Sequence, residues 1–281
     1  MQLTDLFSGK KGLIMGVANE YSIAAHVAEF LAKSGADIGY NYLPDRKALE
    51  AGTPDKMERR AKRALEHLSP AFLLPCDVSS DAEISKFFSE VENRLGKIDF
   101  LVHSIAFAPL DDIRNSTIEA TREGFLLAMN ISVYSFIRCV KEAARVLNDG
   151  ASIVTMTYFG AEKVIPGYNM MGICKAALEA ATRYLAFDLG ARNIRVNSIS
   201  AGPIKTLASS AVGDMARAIK LNAALSPTQK NITQEDVAKT TAYLLSDWSS
   251  GVTGENIHVD GGYHVMGSPN HALDKLKDLL E

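Results

Sequence analysis

Tyr168 and Lys175 lie seven positions apart in a stretch with helical spacing, and their side chains are suited to proton donation. Seven residues of α-helix bring two side chains to about 20° of each other around the axis and about 10.5 Å along it. They would share a face without touching, and a ligand lying between them would contact both. A phenol near the lysine is a better proton donor, because the ammonium stabilises the developing phenolate.

A second phenol, Tyr158, follows a predicted strand at its carboxyl end, where ligands bind in open α/β sheets. A tyrosine and a lysine on one helix are otherwise typical of an amphipathic surface helix. The chemical interpretation of Tyr158, Tyr168 and Lys175 therefore depends on the elements that position them.

Short β-rich runs alternate with helical stretches along the chain, which predicts βαβ crossovers. The strands are almost wholly apolar, as expected for a parallel sheet covered on both faces. With 281 residues and 47% hydrophobic content, we expect one domain over 1–281, a Rossmann-type α/β fold whose doubly wound parallel sheet has helices on both faces. The predicted strands are 12–17, 36–42, 71–75, 98–104, 152–157, 194–200 and 256–259. The predicted helices are 22–33, 55–67, 81–94, 119–147, 169–189 and 234–246.

Two stretches interrupt this alternation. Residues 44–55 contain prolines and a glycine among charged residues, which predicts a surface insertion. Residues 201–233 form a long segment with mixed helical signals, and such segments are often lids. We expect a substrate-binding lid at about 203–226, and an amphipathic tail over 272–280 that packs on the body or on a neighbouring chain.

The turn that starts at Gly16 joins the first predicted strand to the first helix, where a Rossmann fold binds a pyrophosphate. The helix N-terminus offers free N–H groups and the positive end of the helix dipole. The small residues Gly16 and Ala18 allow close approach to the backbone, and Ser22 is expected to cap the helix or donate to the phosphate. The pattern is not GxGxxG, so an ordinary strand-to-helix turn remains the alternative.

The adenosine end of the predicted cofactor site is less defined. The second strand ends without the acidic residue that usually holds the ribose hydroxyls, and Asp45 and Arg46 lie just beyond it. Asp77 follows the third strand, where a carboxylate would accept from an adenine amino group or cap the next helix. The motif does not decide whether the cofactor is NADH or NADPH.

Composition excludes several classes of protein. The three cysteines contain no CxxC pair, which argues against a disulfide framework and a zinc site, and the six histidines have no metal-ligand spacing. His103 lies in an apolar strand, where a core role is expected. A net charge of -3 without a basic stripe argues against nucleic acid, and the absence of an apolar run of about 20 residues argues against a membrane span. The first residues lack a signal-peptide pattern, so we expect a cytoplasmic protein.

At this point the sequence resembles the enoyl-acyl-carrier-protein reductase branch of the short-chain dehydrogenase/reductase superfamily. The superfamily normally has three residues between the tyrosine and lysine of this helix, whereas six intervene here, as in that branch. The matching motifs appear in order and cover about residues 10–263. They lie at 16–24, 104–109, 157–158, 168–176, 195–208 and 259–262.

The resemblance implies that NADH or NADPH reduces the double bond of a trans-2-enoyl thioester carried by acyl carrier protein. Tyr158, Tyr168 and Lys175 would be catalytic, and Ala108 and Tyr158 would meet the acyl substrate. It further implies a homotetramer, with helices 119–147 and 169–189 as interface surfaces. The cofactor-binding positions would be Gly16, Ser22, Ile23, Leu43, Asp77, Val78, Ile105, Lys175, Ile204, Lys205, Thr206, Leu207 and Ala208.

Some features leave alternatives open. Leu43 stands where many family members have a glutamine, and Ala106 replaces a usual glycine. A carbonyl reductase or alcohol dehydrogenase of the same superfamily would share the fold, and so would a non-catalytic nucleotide sensor. Asn130 is expected either as a helix-kink residue or as an ordinary helical asparagine. Lys205, Arg217 and Lys220 would meet an acidic carrier protein or simply face solvent.

Overall fold

The computed structural model describes residues 5–206, 215–268 and 272. Its seven strands form one sheet in the order β3-β2-β1-β4-β5-β6-β7, and every neighbouring pair is parallel. The order reverses between β1 and β4, as in a doubly wound fold. The predicted fold class is therefore confirmed. The strands are β1 Lys11–Met15, β2 Asp37–Tyr42, β3 Phe72–Pro75, β4 Ile98–His103, β5 Leu147–Thr157, β6 Arg195–Ala201 and β7 Asn256–Val259.

Helices cover both faces of this sheet. The helices are α1 Ile23–Lys33, α2 Arg46–Glu50, α3 Lys56–Ala64, α4 Asp81–Leu95, α5 Leu110–Arg114, α6 Arg122–Met129, α7 Ser135–Ala143, α8 Asn169–Leu189, α9 Met215–Leu225 and α10 Gln234–Leu245. Because side chains alternate along a strand, Leu13 of β1 packs into one hydrophobic core with Phe136 of α7, and Ile14 packs into another with Val27 of α1. The apolar strands are thus explained by burial on both sides.

The predicted helix over 119–147 is wrong at both ends and interrupted in the middle. Helix α6 begins after Thr121, whose hydroxyl accepts from the Gly124 amide, and α7 ends at Ala143. Leu147 lies in β5, paired with Ile98 of β4. An apolar pair shortly before an Asn-Asp-Gly turn suits a helix end as well as a strand start, so the spacing of apolar residues did not separate the two.

A π-helical segment, Asn130–Tyr134, joins α6 to α7. A turn of this kind is a common cause of a bend in a helix, which favours the helix-kink interpretation of Asn130. Within it, the Ser132 hydroxyl donates to the Phe107 carbonyl at 2.8 Å and accepts from the Phe107 amide at 2.9 Å. The π segment therefore holds the loop that follows β4.

His103, at the end of β4, is a fully buried core residue, as predicted. Its Nε2 lies 3.0 Å from the Ser135 hydroxyl, which itself donates to the Ile131 carbonyl, so the ring nitrogen is the donor to Ser135. Burial, and then the charge of Lys175, lowers the pKa of His103 to about 3. The ring is therefore neutral and ties β4 to the start of α7.

The stretch 44–55, predicted as a surface insertion, is mostly exposed and contains a helix, α2. Asp45 caps α2 and Asp55 caps α3, and the Asp55 carboxylate also accepts from the Asp45 amide at 3.1 Å. Asp55 is buried. The two aspartates therefore fold the insertion against the end of β2.

One helical stretch of the described chain, Arg122–Ala143, is long and apolar enough by composition to cross a membrane, and 44% of its apolar window is buried inside the fold. A core helix of a globular fold passes the same test. Of the predicted amphipathic tail 272–280, only Ala272 is among the described residues, and it is buried.

Candidate active site

The loops that follow β1, β4, β5 and β6 all leave the sheet at one edge, because parallel strands share their carboxyl ends. They carry Gly16, Ile105, Tyr158 and Ile204, in that order of strands. Within the described residues, no cluster of three or more His, Cys, Asp or Glu side chains is arranged to hold a metal ion.

Gly16 has a φ of 99°, in the region that favours glycine, and a Cβ there would collide with the Ser104 carbonyl oxygen. Its amide donates to Asn41 Oδ1 at 2.8 Å, and Asn41 Nδ2 donates to the Cys76 carbonyl at 3.2 Å. Asn41 is a buried residue of β2 that sequence reasoning missed. An uncharged amide in a strand gives no local signal, and only its contact with Gly16 reveals that it holds the turn.

Ser22 caps helix α1. Its hydroxyl accepts from the Ala25 amide at 3.2 Å and donates to the Asn19 carbonyl at 2.8 Å. The hydroxyl proton is thus engaged within the turn, which favours the capping role over donation to a phosphate. The amide of Ile23, the first helical residue, has no intrahelical acceptor and is available to an anion.

At the adenosine end, Asp77 is held in an ionic cluster. Its carboxylate accepts from the Ser79 amide at 2.9 Å and lies 3.5 Å from Arg46, which also pairs with Glu83 of α4. Burial opposes ionisation of Asp77, but the hydrogen bonds from Ser79 and the charge of Arg46 hold its pKa below the usual value. Ser80, not Asp77, caps α4. The cluster brings together Arg46, which the sequence placed just beyond β2, and Glu83, which sequence reasoning did not single out.

The two remaining residues predicted at the adenosine end lie in different surroundings. Leu43 directly follows β2 and is 57% exposed, whereas Val78 is buried in the core under α4. Neither position tests the predicted contacts with a cofactor, which stay predictions.

Tyr158 and Tyr168 are brought together at the end of β5. Their ring centroids are 4.8 Å apart with an interplanar angle of 76°, an edge-to-face contact. Gly160 makes room for this pair, since a Cβ there would lie 2.6 Å from the Tyr168 ring. Tyr168 is the N-cap of α8 with a φ of -119°, so the ideal-helix spacing to Lys175 holds only from Asn169 onward.

Burial raises the pKa of both phenols. The pKa of Tyr158 rises to about 12, with smaller contributions from Tyr263 and Asp260, and the pKa of Tyr168 rises further, with Tyr158 as the next contributor. Both rings are therefore neutral hydrogen-bond donors near pH 7.

Lys175 is only 5% exposed, and its Nζ donates to the Met156 carbonyl oxygen at 2.7 Å. Burial lowers its pKa to about 8, although Cys174 and Glu179 act in the opposite direction. One of the three ammonium hydrogens is used on β5, and two remain for a ligand. The lysine is therefore fixed beside the end of the strand that carries Tyr158.

The predicted acyl contact, Ala108, lies in a small hydrophobic cluster. It is buried with Ala128 and Met171, and the Tyr168 ring packs against this cluster. Ile105, which precedes it, is partly buried against the main core. The substrate contact of Ala108 and the cofactor contact of Ile105 stay predictions.

The loop after β6 is described only in part. Ile204 is buried, Lys205 is exposed and Thr206 is half-buried, whereas the predicted cofactor residues Leu207 and Ala208 lie outside the described residues. Gln234 Nε2 of α10 donates to the carbonyls of Tyr21 and Lys205, both at 3.4 Å, and so links this loop to the Gly16 turn. Helix α9 covers most of the second half of the predicted lid, 203–226.

The chain is similar to known proteins along most of its length. The family model described as enoyl-(acyl carrier protein) reductase matches residues 16–264. A relative from Rhizobium meliloti, named enoyl-[acyl-carrier-protein] reductase [NADH] 1, is 48% identical over 266 residues, covering 95% of this chain and 94% of the relative.

Two solved structures are similar throughout. The enoyl-(acyl-carrier-protein) reductase of Anaplasma phagocytophilum in complex with NAD has a TM-score of 0.86 and 41% identity, covering 94% of this chain and 97% of that one. The Bacillus cereus enoyl-acyl carrier protein reductase with NADP+ and indole naphthyridinone has a TM-score of 0.88 and 41% identity, covering 94% and 100%.

Proposed function

The chain belongs to the enoyl-acyl-carrier-protein reductase family, and we propose that the carboxyl edge of its sheet, around Tyr158, is where it reduces trans-2-enoyl thioesters with NADH in fatty acid elongation. The observation that carries this proposal is the convergence of three side chains on the end of β5. The rings of Tyr158 and Tyr168 lie edge to face there, and the Lys175 ammonium donates to the carbonyl of Met156, near the end of β5.

The residues at this edge fit a nicotinamide dinucleotide. The Gly16 turn has no side chain at its closest approach to Ser104, and the first amide of α1 is available to a pyrophosphate. The ammonium of Lys175 would hold the nicotinamide ribose with its two remaining hydrogens. When bound, NADH supplies the hydride that reaches the β-carbon of the enoyl thioester.

Negative charge then develops on the thioester oxygen of the substrate. We assign Tyr158 as the donor to this oxygen, with Tyr168 packed against its ring. Preorganised donors aimed at developing charge are usually the largest catalytic contribution. A phenol whose pKa is raised by burial stays protonated, so it can donate throughout the reaction.

The carrier-linked substrate points to acyl carrier protein as the partner, and we propose that exposed Lys205 and Lys220 face its acidic surface.

We also propose a homotetramer in the cytoplasm. Large apolar side chains are exposed along α6, α7 and α8, and exposed apolar patches mark interaction surfaces. They include Phe125, Leu126, Ile137, Tyr184 and Phe187, the last 85% exposed. Light scattering of the purified protein at micromolar concentration tests the tetramer, and a monomer would contradict it.

The activity test follows absorbance at the reduced-nicotinamide band after the purified protein is mixed with a trans-2-enoyl thioester and NADH, then NADPH. We expect oxidation of NADH that depends on the enoyl thioester. A 3-ketoacyl thioester serves as the control substrate, because a carbonyl reductase would prefer it. Cofactor binding without turnover of either substrate would instead indicate a nucleotide sensor and overturn the proposal.

A further inference from the structure

A buried hydrogen bond lies beside the proposed catalytic residues without belonging to them. The Thr157 hydroxyl donates to Glu179 Oε1 at 2.7 Å. Thr157 is the last residue of β5 and Glu179 lies on α8, and they are only 4% and 8% exposed. The function proposed above assigns no part to either residue.

Stable packing alone does not explain why a carboxylate, Glu179, is buried at this position. Burial raises the pKa of Glu179, against the Thr157 hydrogen bond and the charges of Arg183 and Lys175. A buried carboxylate costs folding free energy, and an apolar side chain of similar size is often at least as stable. The bond to Thr157 contributes a fixed geometry that an apolar contact would lack.

The hydrogen bond from Thr157 to Glu179 restrains the residues on both sides of Thr157. On one side, the Met156 carbonyl accepts from Lys175, which lies one helical turn before Glu179 on α8. On the other side, Tyr158 is the proposed donor to the substrate. Because the peptide units are planar, anchoring the Met156 carbonyl and the Thr157 hydroxyl to one helix leaves the backbone little freedom to reorient Tyr158.

We propose that Glu179 is a positioning residue for the reduction: through Thr157 it fixes the backbone from which the Tyr158 phenol reaches the substrate. The inference rests on the proposed role of Tyr158 as the donor to the developing enolate. A misplacement of about 1 Å at such a donor is enough to lower a rate by about a hundredfold.

The test compares substitutions that keep or remove the hydrogen bond. Thr157→Val removes the hydroxyl with little change of shape, and we expect kcat to fall about tenfold to a hundredfold, with NADH affinity within about twofold. Thr157→Ser keeps the hydroxyl and should restore most of the rate. At the other end, Glu179→Gln keeps an acceptor and should retain most of kcat, whereas Glu179→Leu should behave like Thr157→Val.

A matched control is Thr241→Val in α10. Thr241 is also fully buried, and its hydroxyl donates to the Val237 carbonyl at 2.8 Å, far along the chain from β5. We expect its kcat to stay at the wild-type value. A fall in kcat equal to that of Thr157→Val would show a general effect of losing a buried hydroxyl and would overturn the proposal.

The deciding measurement is a double-mutant cycle with Tyr158→Phe. If Thr157 acts through the phenol, Thr157→Val should have little further effect once the phenol is gone. If the losses in kcat of Thr157→Val and Tyr158→Phe are fully additive, the positioning role is overturned. Equal losses in kcat for Glu179→Gln and Glu179→Leu would also overturn it, and this second test does not require Thr157→Val to fold. If Tyr158→Phe alone leaves kcat unchanged, the proposed function of Tyr158 fails instead, which keeps the two failures distinguishable.

Discussion

The ammonium of Lys175 is bound to the Met156 carbonyl at 2.7 Å, so helix α8 is tied to the end of β5, two residues before the proposed catalytic phenol. The lysine therefore has a backbone anchor that does not depend on a bound ligand. Its two remaining hydrogens are left for a ligand.

Replacing Lys175 should weaken cofactor binding. Lys175→Met keeps the length of the side chain but removes the ammonium, and we expect the Kd for NADH to rise about tenfold to a hundredfold, the range of a charged hydrogen bond. Fluorescence titration of NADH measures this. An unchanged Kd would refute the ribose-binding role, and a midpoint of thermal unfolding near that of the wild type would rule out misfolding.

The depressed pKa of Lys175 makes two pH effects run in opposite directions. Its folded pKa of about 8 lies below the ordinary 10.5. As pH rises through about 8 the folded protein loses the ammonium, so NADH affinity should fall. Between these values the unfolded chain binds more protons, so the contribution of Lys175 to the free energy of unfolding should rise with pH.

Titrating NADH and denaturing the ligand-free protein at pH 7 to 10 measures both effects, and each should disappear in Lys175→Met. NADH affinity that stays flat across this range in the wild type would contradict the assignment.

The two phenols should differ in what they contribute. We expect Tyr158→Phe to lower kcat about a hundredfold, as for loss of a donor to developing charge, with little change in the Kd for NADH. Tyr168→Phe keeps the edge-to-face contact of the rings and should lower kcat by less. Steady-state kinetics with an enoyl thioester separates them, and a larger loss in Tyr168→Phe would reverse the assignment.

Two glycines with positive φ provide a matched test of the phosphate turn. Gly16→Ala forces a methyl group into the Ser104 carbonyl and strains the backbone, so we expect a loss of more than about 3 kcal/mol in the free energy of unfolding. Gly52 also has a positive φ, 64°, but no atom lies within 4 Å of the position of an added Cβ. Gly52→Ala should therefore lower the free energy of unfolding by only about 1 kcal/mol. Urea denaturation compares the two. Equal losses would mean that the close approach to Ser104 has no energetic weight.

The ionic cluster at the adenosine end should influence cofactor choice. Arg46 is paired with Glu83 and Asp77, so its guanidinium is not fully available to a 2′-phosphate. Glu83→Gln removes one charge but keeps an acceptor for the Asp77 amide. We expect kcat/KM for NADPH to rise several-fold relative to NADH. If this ratio is unchanged in Glu83→Gln, Arg46 does not take part in the choice between NADH and NADPH.

The sequence predicted the sheet and the phenol-lysine group because both depend on local patterns. Alternating apolar runs identify strands, and the spacing of Tyr168 and Lys175 identifies a helix face. Asn41 and Glu179 were missed because their importance comes from contacts with residues 25 and 22 positions away. The boundary between α7 and β5 was misplaced for a related reason, since the pairing of Leu147 with Ile98 is not visible in the spacing of the chain.

The π segment has a further consequence for how this region tolerates change in length. One extra residue is accommodated in its wide turn, so deleting a single residue from Asn130–Tyr134 would allow an uninterrupted α-helix from Arg122 to Ala143. Because the wide turn already absorbs the extra residue, α6 and α7 would keep nearly the same alignment around the helix axis, and only the side chains within the segment would shift. Ser132, which lies inside the wide turn, would leave Phe107, whereas Ser135 in α7 would stay beside His103. The number of residues in the segment therefore decides whether this helix holds the Phe107 loop, a property that substitution scans do not sample.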